Sequence, residues 1–130
     1  LSNVCSDGRI IGIDISPTSM AELLLLAKAK TNIIPFLGDA HFPKQYHPHV
    51  NSPDIIYQDI AQSDQLDIFI RNYDFYKPKC GFFMLKSRSI KGNDNEIINQ
   101  YKGKLETHFD TVECINISKW AKGHRAFYVQ

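Results

Sequence analysis

Residues 54–65 read Asp54-Ile55-Ile56-Tyr57-Gln58-Asp59-Ile60-Ala61-Gln62-Ser63-Asp64-Gln65. The apolar run after Pro53 predicts a strand from Asp54 to Ile60. Ser63-Asp64-Gln65 opens a helix that reaches Tyr76, with Leu66, Phe69, Ile70 and Tyr73 at i, i+3, i+4 and i+7. An acid and an amide thus sit where a strand gives way to a helix. In open α/β sheets, ligands bind at that junction, outside the carboxyl ends of the strands.

The same alternation continues upstream. Arg9 to Ile15 is β-branched and reads as a buried strand. Ser16-Pro17 supplies an N-cap and a first-turn proline for a helix from Pro17 to Lys30, with Leu23, Leu24 and Ala27 near helical spacing. Asn32 to Leu37 reads as a second strand, and Pro35 inside it argues for an edge position. Gly38-Asp39-Ala40 is the following turn, and His41 to Pro53, with its three prolines, reads as loop with one short helical turn. Asp14 and Asp39 therefore lie at strand ends equivalent to that of Asp59, and three acids at three strand tips imply one cleft.

Downstream, Lys77-Pro78-Lys79 stops the helix and Cys80 to Leu85 is a strand running out at Lys86. Asn93 to Phe109 reads as a helix with Ile97, Ile98, Tyr101 and Leu105 inward. Thr111 to Ile117 and His124 to Gln130 read as strands joined by a link short enough for an antiparallel pair. The order predicts an α/β fold: a mostly parallel sheet covered by helices on both faces, ending in an antiparallel strand pair.

A chain of 130 residues with 43% hydrophobic and 22% charged side chains suits one soluble globular domain that needs no disulfide. The net charge of +1 supplies no global field for nucleic acid, so any RNA contact must come from a local patch or a partner. Cys5, Cys80 and Cys114 are odd in number and far apart, the pattern of reduced thiols. The longest apolar run, Leu23 to Ala27, is too short to span a membrane.

Each candidate residue carries two readings. Asp14 accepts hydrogen bonds from ribose hydroxyls or interacts with the dipole of the helix after it. Asp39 contacts an adenine amino group or closes an Asx turn. Asp59 and Lys86 end adjacent predicted strands; together they orient or deprotonate a hydroxyl nucleophile, or form an ion pair at the rim. His124 begins the strand placed beside the one ending at Lys86, so it joins them as a donor or proton carrier. Lys86, Arg88 and Lys91, with Lys119, Lys122 and Arg125, form a small basic run suited to phosphates, or a solvated face. Trp120 and Tyr128 read as packing groups. His41, His47 and His49 lack the spacing of a metal site, and no metal is expected.

At these residues the chain resembles the fibrillarin family, the RNA 2′-O-methyltransferases of box C/D ribonucleoprotein particles. The resemblance spans nearly the whole chain. It rests on Ile13-Asp14-Ile15-Ser16, Thr31-Asn32-Ile33-Ile34-Pro35, Gly38-Asp39-Ala40, Tyr57-Gln58-Asp59-Ile60-Ala61-Gln62, Lys86-Ser87-Arg88-Ser89-Ile90 and His124. It implies a Rossmann-like methyltransferase fold, S-adenosylmethionine as methyl donor, and a guide-RNA-paired target in rRNA. It also implies a Nop-family scaffold as partner, and residence in the nucleolus, or in the cytoplasm of an archaeon.

By motif match, Asp14 and Ile15 would hold the donor's ribose, Asp39 and Ala40 border its adenine, and Asp59 and Gln62 lie near its methionine portion. Asp59, Lys86 and His124 match three members of the family's Lys-Asp-Lys-His catalytic set. Arg88, Lys91, Lys122 and Arg125 would face RNA. The chain departs from the family pattern in three ways. Asp14 stands where Glu is usual, Gly123 stands where an acid usually precedes the histidine, and no glycine-rich motif or fourth-member lysine precedes Arg9. The expectation is therefore that residues 1–130 are the C-terminal part of a single methyltransferase domain, with the first strand and glycine-rich loop missing. Two other functions fit the same residues: an assembly subunit that has lost donor binding, and a methyltransferase acting on protein glutamine.

Overall fold

The computed structural model describes residues 1–86, 92–121 and 123–130. These divide into two compact units, Leu1–Asn51 and Ser52–Gln130.

In the first unit the isoleucine-rich run forms β1 (Ile10–Asp14), which pairs in parallel with β2 (Ile33–Leu37). The helix between them, α1 (Pro17–Ala29), starts as its sequence dictates: Ser16 Oγ accepts the Ser19 N–H at 3.3 Å, and Pro17 fills the first turn. Its buried side chain is Met20, whereas Leu24 is 52% exposed, so the inward stripe differs from the expected one. Among the described residues β2 pairs with β1 alone, which leaves it at an edge where Pro35 deprives no ladder of a donor. Asn32 secures the first residues by donating to the Ser2 and Cys5 carbonyls and accepting from Ser2 Oγ.

The predicted loop after Ala40 is instead α2 (Pro43–Val50). Pro43 fits its first turn, but Pro48 lies inside it and contributes no N–H. Burial overrides that penalty. Tyr46 is 1% exposed, packs against Phe36 at 6.0 Å between ring centroids, and donates its hydroxyl to the Ala40 carbonyl.

The second unit holds a four-stranded sheet in the order β3 (Ile55–Gln58), β4 (Cys80–Lys86), β6 (His124–Val129), β5 (Val112–Asn116). The β3–β4 pair is parallel, and β6 runs antiparallel to both β4 and β5. Among the described residues no ladder joins β1 to β3, so the strands form two sheets. Between the strands of this unit lie α3 (Gln65–Tyr76) and α4 (Asp94–Glu106). Lys77, left-handed at φ 48°, ends α3 just before Pro78, while Asn93 caps α4 by accepting the Asn95 N–H.

Alternation along β4 and β6 puts Phe83, Leu85, Phe127 and Val129 on one face. Leu66 and Phe69 of α3 pack there together with Ile97, Tyr101 and Leu105 of α4, so within this unit both helices cover the same face. Gly81 permits the contact. A Cβ at that position would lie 2.7 Å from Phe69 and 3.2 Å from Tyr73.

Candidate active site

Strand direction assembles the candidate residues. Because β1 and β2 are parallel, Asp14 and the turn holding Asp39 fall at the same end of the first unit's sheet. Asp14 Oδ1 accepts the Ser16 N–H at 2.7 Å. Asp39 Oδ1 accepts the His41 backbone N–H at 2.9 Å and meets His41 Nδ1 at 2.6 Å. These bonds, the backbone one foremost, hold the Asp39 carboxyl below its ordinary range. Both acids thus make the local turn contacts that one of their two readings requires. A carboxylate has about four acceptor sites, and these bonds use only Oδ1. Ile15 is exposed, and Ala40 is half-buried beneath the Tyr46 hydroxyl.

In the second unit β3 and β4 are parallel, so Asp59 and Lys86 emerge at the same end of the sheet. Lys86 Nζ lies 3.0 Å from Asp59 Oδ1; the lysine side chain is 24% exposed and the aspartate 47%. Since β6 is antiparallel to β4, its first residue arrives at that end as well, and His124 stands directly opposite Lys86 in the ladder. Gly123, at φ 77°, makes the preceding turn in a conformation that glycine adopts without strain. An ammonium beside a carboxylate, with an imidazole across the ladder, can orient a hydroxyl and receive its proton. Gln62 is exposed, and its carbonyl accepts the Gln65 N–H at 3.3 Å.

Of the predicted RNA-facing residues, Arg125 is half-buried and donates from Nη1 to the His124 carbonyl at 2.9 Å. Arg88, Lys91 and Lys122 lie outside the described residues. Trp120 is no packing group: it is 78% exposed, with Lys119 Nζ 5.7 Å from the centre of its ring. Tyr128 does pack, against Phe82 at 5.5 Å. Two surface depressions, about 570 Å³ along α3 and about 440 Å³ against β1 and α1, are lined by none of the predicted site residues. Among the described residues no group of three or more His, Cys, Asp or Glu side chains could hold a metal ion, and no helix is long and apolar enough to cross a membrane.

The motif order along the chain is matched by a family model, Fibrillarin, over residues 1–130. The chain belongs to the fibrillarin family. It is 35% identical over 126 residues to a fibrillarin-like rRNA/tRNA 2′-O-methyltransferase of Thermoplasma volcanium, a match covering 95% of this chain and 56% of that protein. It is 40% identical over 123 residues to the protein of the same description from Saccharolobus islandicus, covering 91% and 53%. Among solved fibrillarins, the Methanococcus jannaschii pre-rRNA processing protein superposes with a TM-score of 0.87 at 32% identity, covering 98% of this chain and 58% of that one. Fibrillarin in a complex with Nop5p superposes at 0.91 and 29% identity, covering 98% and 63%. Aeropyrum pernix fibrillarin, solved with natively bound S-adenosyl-L-methionine, does so at 0.79 and 27%, covering 95% and 56%. The chain therefore spans a little over half the length of the curated family members it matches.

Beneath the Asp59–Lys86 pair lie two residues that sequence reasoning passed over. Gln58 and Gln65 are 6% and 0% exposed, and Gln58 Nε2 donates to the Gln65 carbonyl. Their signal was weak but present. Gln58 occupies an inward position of β3 by period two, and Gln65 heads a buried stripe continued by Ile68, Asn72 and Tyr76.

Proposed function

We propose that this family member works as an S-adenosylmethionine-dependent methyltransferase on the ribose 2′-hydroxyl of RNA, in box C/D particles that process and modify pre-rRNA. The observation that carries the reading is the Asp59–Lys86 contact at 3.0 Å, with His124 opposite Lys86, at the carboxyl ends of β3 and β4. Two family relatives are described as rRNA/tRNA 2′-O-methyltransferases, and one solved member contains S-adenosyl-L-methionine.

The donor set fits that cofactor. Half-buried carboxylates with Oδ1 anchored in a turn, Asp14 and Asp39, suit the hydroxyl and amino donors of a nucleoside. Asp14 and Ile15 take the ribose, Asp39 and Ala40 the adenine, and Asp59 and Gln62 the methionine portion. When bound, S-adenosylmethionine supplies an electrophilic methyl group on a sulfonium, leaving the protein mainly the task of alignment. Asp59 accepts the proton of the attacking 2′-hydroxyl, Lys86 holds the Asp59 carboxylate in place, and His124 fixes the hydroxyl's approach. Arg88, Lys91, Lys122 and Arg125 contact phosphates, and no metal takes part.

Guide RNA selects the target, consistent with a net charge of +1 that gives the chain little attraction of its own for RNA. A Nop-family protein is the scaffold; fibrillarin solved in complex with Nop5p matches 98% of this chain. The protein works in the nucleolus of a eukaryote or the cytoplasm of an archaeon.

Methyl transfer to a guide-paired RNA, measured with the natural-length protein and its scaffold, tests the proposal. Asp59→Ala should lower the rate on the order of 100-fold or more with the fold intact. Full activity in that variant would remove Asp59 from the reaction. No activity or donor binding in the parent protein would instead support the assembly-subunit reading.

A further inference from the structure

β3 ends at Gln58, opposite Phe83, so the ladder stops three residues before Lys86. The Lys86 N–H is taken up by a side chain instead, donating to Gln65 Oε1 at 3.3 Å. On the other strand, Gln58 adjoins Asp59 in the chain and donates Nε2 to the Gln65 carbonyl at 2.5 Å. One buried residue at the start of α3 therefore binds the tips of both strands that carry the Asp59–Lys86 pair.

This arrangement costs stability. Gln65 is fully buried, and its Nε2 is the buried side-chain polar atom among the described residues that makes no hydrogen bond. Leaving an amide N–H₂ unsatisfied away from water is unfavourable, and an apolar side chain of similar length would avoid the penalty. What an apolar side chain cannot do is accept the Lys86 N–H where the ladder no longer provides a carbonyl.

We propose that Gln65 is a positioning residue for methyl transfer, its side-chain oxygen and backbone carbonyl locking the tips of β3 and β4 so that Lys86 Nζ stays on the Asp59 carboxylate. The proposal rests on the reading of Asp59 and Lys86 as the catalytic pair.

The test uses the natural-length protein assembled with its scaffold and guide RNA, and compares Gln65→Met, Gln58→Met and Asp59→Ala. Single-turnover transfer at saturating donor and target is measured beside donor affinity, RNA affinity and melting temperature. Gln65→Met should slow transfer on the order of 10- to 100-fold, as small misalignments do, while both affinities and the melting temperature hold. The loss should fall on the transfer step alone, a split between rate and affinity that a merely structural change would not produce. Gln58→Met should act in the same direction. An unchanged transfer rate, or a loss matched by weaker donor binding, would overturn the proposal. If Asp59→Ala is inactive while Gln65→Met transfers normally, the positioning role alone falls; if Asp59→Ala retains full activity, the catalytic reading falls with it. Should Gln65→Met fail to fold, amide hydrogen exchange of the parent protein decides. Protection at Lys86 supports the lock, and coil-like exchange there overturns it.

Discussion

Asp39 shows how a strand-end acid is held by the turn that follows it. Its carboxylate is stabilised first by the His41 backbone N–H and second by the His41 ring, with burial opposing both. A carboxyl lowered in this way contributes stability that is complete above the ordinary value of 3.8 and is lost as pH falls through the lower folded value. His41→Ala keeps the stronger backbone bond and loses the ring. The Asp39 midpoint, followed by carbon NMR, should rise towards 3.8 while staying below it, and acid unfolding should begin at higher pH. An unmoved midpoint would show that the ring contributes nothing. The candidate acids were legible in the sequence because their signal is local: an acid where an apolar run meets a turn. Gln58 and Gln65 left only a weak trace, since a polar residue in an amphipathic segment shows its burial only when the strands pair.

At the scale of elements, α2 marks the limit of sequence reasoning. Three prolines and three histidines between His41 and Pro53 erase any apolar period, so the segment reads as loop. The helix persists because Tyr46, at 1% exposure, anchors it to Phe36 and Ala40. Tyr46→Ala should therefore cost about 3 kcal/mol in urea unfolding, and a cost near zero would mean that something other than this ring holds α2. The α3–β4 contact makes the opposite demand. Gly81→Ala places a methyl group 2.7 Å from the Phe69 ring, inside a core whose rings cannot retreat into solvent. A destabilisation of about 1–3 kcal/mol is expected, and a neutral result would show that Phe69 and Tyr73 can shift.

For the molecule as a whole, buried tyrosines shape the response to alkali. Burial pushes the Tyr76 hydroxyl up to about 12 and also raises those of Tyr73 and Tyr101. An acid raised on folding stabilises below its unfolded value of about 10 and ceases to do so as pH climbs through its folded value. The melting temperature should hold up to about pH 9 and fall beyond pH 10, with Tyr76→Phe softening the fall. An equal fall in that variant would exonerate Tyr76. The strand–helix order, the caps at Ser16 and Asn93, and the acids at strand ends follow from local periodicity, cap chemistry and turn residues, all carried by neighbours in the chain. The meeting of Lys86 with His124, the burial of Gln58 and Gln65, and the helical state of residues 43–50 depend on strand register and on contacts between distant residues. No short window of sequence records those contacts, because they exist only once the chain has folded.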